Sequence, residues 1–167
     1  MGTRSLTIVK LNGEVKVAQY CQWDGYFRGQ GTVIAKFIQN ELDLRKFKKN
    51  IKSLKWASSK EIDDLYIKAG SKNGMISFDD ADKVKNSNPE FHRDTGALIL
   101  KLIQDGKVKK VQNDITFLKD TLFCDYAYEI DLNKKVINIY TGKKNPSFTI
   151  KFKDFTVKKM LELENSL

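Results

Sequence analysis

Between a strand pattern and a helix pattern, the stretch Gln22-Trp23-Asp24-Gly25-Tyr26-Phe27-Arg28-Gly29-Gln30-Gly31 crowds polar, aromatic and glycine residues into ten positions. Glycines at 25, 29 and 31 permit backbone conformations closed to other residues, and a helix that starts there would aim unpaired N–H groups at a ligand. Gln22, Trp23, Asp24, Tyr26 and Arg28 are the side chains placed to contact such a ligand, with Arg28 assisting an anion. A phosphate loop of the form Gly-x-x-x-x-Gly-Lys-Ser/Thr is absent. The same residues also fit a purely structural turn in which Trp23 and Tyr26 plug the core and Asp24 caps backbone N–H groups.

A second carboxylate, Asp125, precedes a strand pattern. If that strand lies beside the first hairpin, Asp125 approaches Asp24 and the pair could hold a metal or do acid–base work in a nucleotide- or metal-dependent pocket. The alternative has Asp125 facing solvent. His92 is the only histidine, so a Cys-His or Ser-His nucleophile would have to use it, and no local signature supports one. Cys21, His92 and Cys124 supply ligand types for zinc, with Asp24 or Asp125 as a fourth, but from remote segments without Cys-x-x-Cys spacing. Two buried thiols and a surface histidine near a helix start account for them as well. The Asp79-Asp80-Ala81-Asp82 cluster lacks the glycine and distal glutamate of a calcium loop. No complete catalytic set emerges, so a non-enzymatic role is favoured.

The charge is more pointed. Thirty basic residues against 21 acidic give a net +9, a balance that suits acidic partners and nucleic acid. Arg45, Lys48, Lys49, Lys52 and Lys55 gather on one helical segment, which could lie along phosphates or against an acidic protein surface. Only four of the cations are arginines, which weighs against sequence-specific reading of guanine edges. Two cysteines in 167 residues argue against a secreted disulfide framework and for a reducing cytoplasm. No run approaches the roughly 18 apolar residues of a membrane span, and the first residues lack the apolar core of a signal peptide. The length fits one domain, 1–167.

The elements that must position these residues follow from periodicity. Ser5–Val9 and Val15–Tyr20 alternate around Asn12-Gly13, predicting a hairpin. A helix capped by Thr32 carries Val33, Ile34, Phe37, Ile38 and Leu42, and a second is capped by Asp43, with Leu44, Phe47, Ile51 and Leu54 inward. Ser58 and Glu61 form a capping box for a third that stops at Gly70. Residues 71–88 read as a long connection. A further helix is expected from Asn88-Pro89 to Gly106, with Phe91, Thr95, Leu98 and Leu102 on one face. Strands at 124–132, 136–140 and 148–152 then precede a last helix capped by Asp154 or Thr156. Strands at both ends with helices between them predict an α+β fold: a mainly antiparallel sheet of N- and C-terminal strands covered by helices from the middle of the chain.

The opening Met1-Gly2-Thr3-Arg4-Ser5-Leu6-Thr7, the Gln22-Trp23-Asp24-Gly25-Tyr26 block with Gly29-x-Gly31, and the late Phe123-Cys124-Asp125-Tyr126-Ala127-Tyr128 segment resemble a family of small uncharacterised proteins carried by bacteriophages and other mobile elements. This chain has Phe27 where similar proteins often have proline. The resemblance implies no known enzyme activity. It implies a setting among accessory proteins that disable host defences, CRISPR nuclease inhibitors included. The expectation is therefore a binding protein in the cytoplasm of a bacterial host, whose partner is a host protein or ribonucleoprotein complex. Nonspecific nucleic-acid binding through the basic helix is the further alternative.

Overall fold

In a computed structural model, which describes residues 2–167, a five-stranded sheet runs in the order β2-β1-β5-β6-β7. The strands are β1 (Ser5–Leu11), β2 (Glu14–Cys21), β5 (Tyr126–Asp131), β6 (Val136–Tyr140) and β7 (Phe148–Lys151). All neighbours are antiparallel except β1 and β5, which run parallel with Thr7 opposite Tyr128. The first hairpin turns at Asn12 and Gly13, with φ of 53° and 78°, the left-handed conformations a tight two-residue turn requires. The fold is α+β, built from N- and C-terminal strands as the sequence predicts.

Register assigns the two faces of the sheet. Val9, Val17, Tyr128, Ile130, Ile137 and Ile139 share one face and enter the main core. Helices cover it: residues 27–41, which wind as π turns at Phe27–Gly31 and Phe37–Glu41 around α1 (Thr32–Lys36), then α2 (Leu44–Ser53), α5 (Ile99–Gln104) and α6 (Val157–Asn165). Phe27, Ile34, Phe47, Ile51, Leu100, Ile103 and Met160 are the side chains they bury there. Leu6, Ile8, Ala18 and Ala127 line the opposite face beneath Ile115, Phe117 and Leu118 of a short 3-10 helix. Under that cover β5 is buried on both faces, since Ala127 and Glu129 on its second face are buried too. Glu129 tolerates this because Lys10 Nζ stands 3.0 Å from its Oε2 and Asn138 Nδ2 donates to its Oε1 at 2.9 Å.

Asp43 accepts from the Lys46 N–H, Thr156 from the Lys159 N–H, and Ser58 with Glu61 forms the capping box of α3 (Ser59–Ala69), all as expected. Other predictions fail for identifiable reasons. Thr32 does not cap: the helix has already begun at Phe27, and the Thr32 hydroxyl donates to the carbonyls of Arg28 and Gly29. Residues 71–88 are not one long connection, because α4 (Phe78–Ser87) occupies most of them. Ser77 caps it by accepting the Asp80 N–H, and Asp79 and Asp80 sit in the first turn, where the helix dipole favours negative charge. The helix predicted from Asn88 onward is broken into short turns at Pro89–Phe91 and Gly96–Leu98 before α5. Gly96 has φ of 48° there, which rotates the apolar stripe onto Ala97, Leu100 and Ile103 and leaves Leu98 exposed. Two short strands, β3 (Lys55–Trp56) and β4 (Lys110–Val111), pair in parallel away from the main sheet.

Candidate functional site

The Gln22–Gly31 junction leaves the end of β2 and splits in two directions. Its first part faces the loop that carries the only histidine. Gln22 N–H donates to the Arg93 carbonyl at 3.0 Å, and Cys21 Sγ lies 3.3 Å from the Trp23 carbonyl and 3.7 Å from that of Asp94. Gln22 Oε1 is taken by the Tyr20 hydroxyl at 2.6 Å. The second part faces α6. Arg28 N–H donates to Glu164 Oε2 at 3.2 Å, and Arg28 Nη2 donates to Asn165 Oδ1 at 3.1 Å. The N–H groups of Gly29 and Gln30 go to the carbonyls of Tyr26 and Asp24. The helix start expected to receive an external anion is thus engaged by the chain's own Glu164.

Asp24 sits at φ 57°, and its Oδ1 accepts the Tyr26 hydroxyl at 3.0 Å, an interaction that holds the Tyr26 phenol above its usual pKa. β5 does lie beside the first hairpin, as the paired-carboxylate reading requires, but the two acids flank opposite sides of the chain entering β1. Gly25 N–H donates to the Thr3 carbonyl, whereas Asp125 Oδ2 accepts the Arg4 N–H at 2.8 Å and Tyr126 N–H donates to the Arg4 carbonyl. The Asp24 carboxylate is thus engaged by a neighbouring phenol and that of Asp125 by a backbone N–H.

Cys21, His92 and Cys124 are not gathered. Cys21 lies on the helix-covered face of the sheet near Gly96, whereas Cys124 packs with Leu6, Ile8 and Ala127 on the other. Among the described residues no group of three His, Cys, Asp or Glu side chains stands close enough to hold a metal ion. Burial pushes the Cys21 thiol up and the Cys124 thiol up to about 12, so both are protonated at neutral pH and neither is an activated nucleophile. His92 is buried rather than at the surface. Desolvation lowers its pKa, and its Nδ1 accepts the Asp94 N–H at 3.1 Å, so the neutral ring carries its proton on Nε2.

The basic helix keeps the geometry its sequence suggests from Arg45 to Lys52, but it ends at Ser53, so Lys55, expected on the same helix, lies outside it. Phe47 and Ile51 are fully buried on one side of α2, and Arg45, Lys48, Lys49 and Lys52 with Ser53 line a shallow depression of about 620 Å³ on the other. Among the described residues none of these cations stands within ion-pair distance of a carboxylate. Lys55 continues the charge at the start of β3, beside Lys109 and Lys110 of the neighbouring strand. Lys110 is the exception in this group, since it pairs with Glu61.

Comparison with protein-family models, with curated proteins and with solved structures returns no match. The geometry therefore stands alone. It also reveals a cavity of about 400 Å³ between the junction, α3, α4 and the His92 loop, lined by Trp23, Tyr66, Phe78, His92, Arg93 and Asp94 among others. Sequence reasoning singled out Trp23 and His92 but did not join them. The one signal that could have added Phe78 is Ser77-Phe78-Asp79-Asp80, a capped helix start with an apolar residue at its first position. No helix among the described residues is long and apolar enough to cross a membrane.

Proposed function

We propose that this chain is a non-enzymatic phage or prophage accessory protein that inhibits a bacterial defence complex, a CRISPR effector nuclease in our reading, by seating α2 on an anionic surface of that complex. One observation carries the reading: Arg45, Lys48, Lys49 and Lys52 share a single depression that no carboxylate lines, on a helix pinned to the core by Phe47 and Ile51. A helix already fixed on the core adds no backbone ordering cost on docking, and the field of its cations steers an acidic protein surface or bound nucleic acid toward it. The net charge of +9 is opposite to that of a DNA mimic. The resemblance of the Met1–Thr7 and Gln22–Gly31 segments to mobile-element proteins supplies the setting. An enzyme built on Asp24 and Asp125 has less support, because one carboxylate accepts the Tyr26 hydroxyl and the other the Arg4 N–H.

The test is phage plating on hosts that each carry a single CRISPR effector type. Expression of the protein is expected to restore plaques on at least one such host. The R45E/K48E/K49E/K52E variant, shown by circular dichroism to be folded, should fail to do so, while D24N and D125N retain the effect. Full restriction on every host, or full activity of the charge-reversed variant, would overturn the proposal.

A further inference from the structure

The cavity beside Trp23 is walled largely by aromatic side chains. The Trp23 indole rests against the backbone of Gly2, where an added Cβ would overlap its ring carbons Cε3 and Cζ3. The ring is therefore fixed from one side, yet 47% of the residue remains exposed. Phe78, at the first position of α4, is 86% exposed and lines the same cavity, and Tyr66 closes the wall with its hydroxyl committed to the Phe91 carbonyl at 2.8 Å. An aromatic left this exposed, on a mount that holds its orientation, is a stacking platform.

The polar groups narrow the class. His92 contributes an Nε2–H donor, because its Nδ1 is already an acceptor. Asp94 Oδ1 is buried and ion-paired with Arg93 Nε at 3.8 Å, whereas Oδ2, on a side chain that is 25% exposed, has no donor of the protein within hydrogen-bond reach and is the acceptor open to a ligand. Arg93 stands at the exposed rim. A stacking face, a donor, an acceptor and a rim cation match the edge, face and phosphate of a nucleotide. The aromatic walls with Asp82 and Asp94 also raise the case of a cationic amine, but Arg93 beside Asp94 and the +9 chain oppose a cation. We infer that the cavity between Trp23, Phe78 and the His92–Asp94 loop binds a nucleobase, stacked on Trp23, with its N–H edge toward Asp94. The inference goes beyond the role proposed for α2 and does not depend on it.

The chain has two tryptophans, so two indole N–H signals in a ¹H–¹⁵N spectrum separate this site from Trp56. Titration with the four ribonucleoside 5′-monophosphates, and with a short single-stranded RNA and its abasic counterpart, is expected to shift the Trp23 signal and leave that of Trp56 in place. Response to the RNA alone would identify the ligand as a base within a strand; response to mononucleotides as well would identify the base itself as sufficient. W23A should weaken binding about tenfold or more, and D94N, whose exchanged atom leaves the ring in place, should weaken it too. The R45E/K48E/K49E/K52E variant should bind mononucleotides as the parent does. Equal shifts from ribose 5-phosphate or the abasic strand, saturation by choline only, loss of mononucleotide binding in the α2 variant, or no response at millimolar nucleotide would each overturn the assignment.

Discussion

Tyr128 reaches out of β5 to the junction: its hydroxyl donates to the Gly25 carbonyl at 2.8 Å, inside a fully buried environment. Burial drives its pKa well above the ordinary phenol value, so the donor is never titrated away in the working range. A strand from the C-terminal third thereby fixes the turn that follows the N-terminal hairpin. Tyr128→Phe removes the donor and strands a buried carbonyl, and an expected loss of about 1–2 kcal/mol should appear in denaturant unfolding. Amide exchange should accelerate at Gly25–Gly31 more than in β6; uniform exchange would show that the bond is not what orders the junction.

Gly96 admits no side chain. It combines φ of 48° with a close approach in which a Cβ would fall 2.7 Å from Cys21 Cβ and 2.8 Å from Cys21 Sγ. Gly96→Ala therefore meets both backbone strain and overlap with β2, at an expected cost of about 2–4 kcal/mol. Thermal unfolding measures it, and a variant as stable as the parent would mean that the turn, held by the Ala97 N–H donating to Gln30 Oε1 at 2.8 Å, adjusts freely.

Glu61 makes a pH-dependent tie between α3 and β4. The Lys110 ammonium, followed by the Ser58 N–H, holds its carboxyl down at about 2 from an ordinary 4.5. A depressed carboxylate contributes stability above its ordinary pKa and loses it as pH falls through the folded value, so the window lies between pH 4.5 and about 2. The fall in melting temperature across that window should be smaller in Glu61→Gln than in the parent. Parallel curves would show that the Lys110 contact adds nothing in solution.

What the sequence made legible was local. Asn12-Gly13, Asp43, the Ser58–Glu61 box and Thr156 each announce themselves through hydrogen bonds made within a few residues, and each takes its predicted place. The α2 face was legible for the same reason, since helical spacing alone separates Phe47 and Ile51 from Lys48 and Lys52. Long-range decisions were hidden. Whether Arg28 would meet a ligand or Glu164 depends on where α6 docks, 136 positions later. Asp79 and Asp80 read in sequence only as a cluster short of a calcium loop, and it is the cap made by Ser77 that turns them into the first turn of α4. The Trp23 cavity joins segments around residues 23, 66, 78 and 93, and no periodicity connects those.

The parallel seam between β1 and β5 has a consequence for how the chain is made. Arg4 and Asp125 are 121 positions apart, yet their contact starts the seam. During synthesis the first hairpin leaves the ribosome with one flank of β1 bare, and it stays bare until the segment around Tyr126 emerges. Pairings this distant close slowly, and an open strand flank in the interval is a template for another nascent copy. Efficient production of this protein thus depends on whatever shields that flank in the meantime, whether the helices that emerge next or a chaperone.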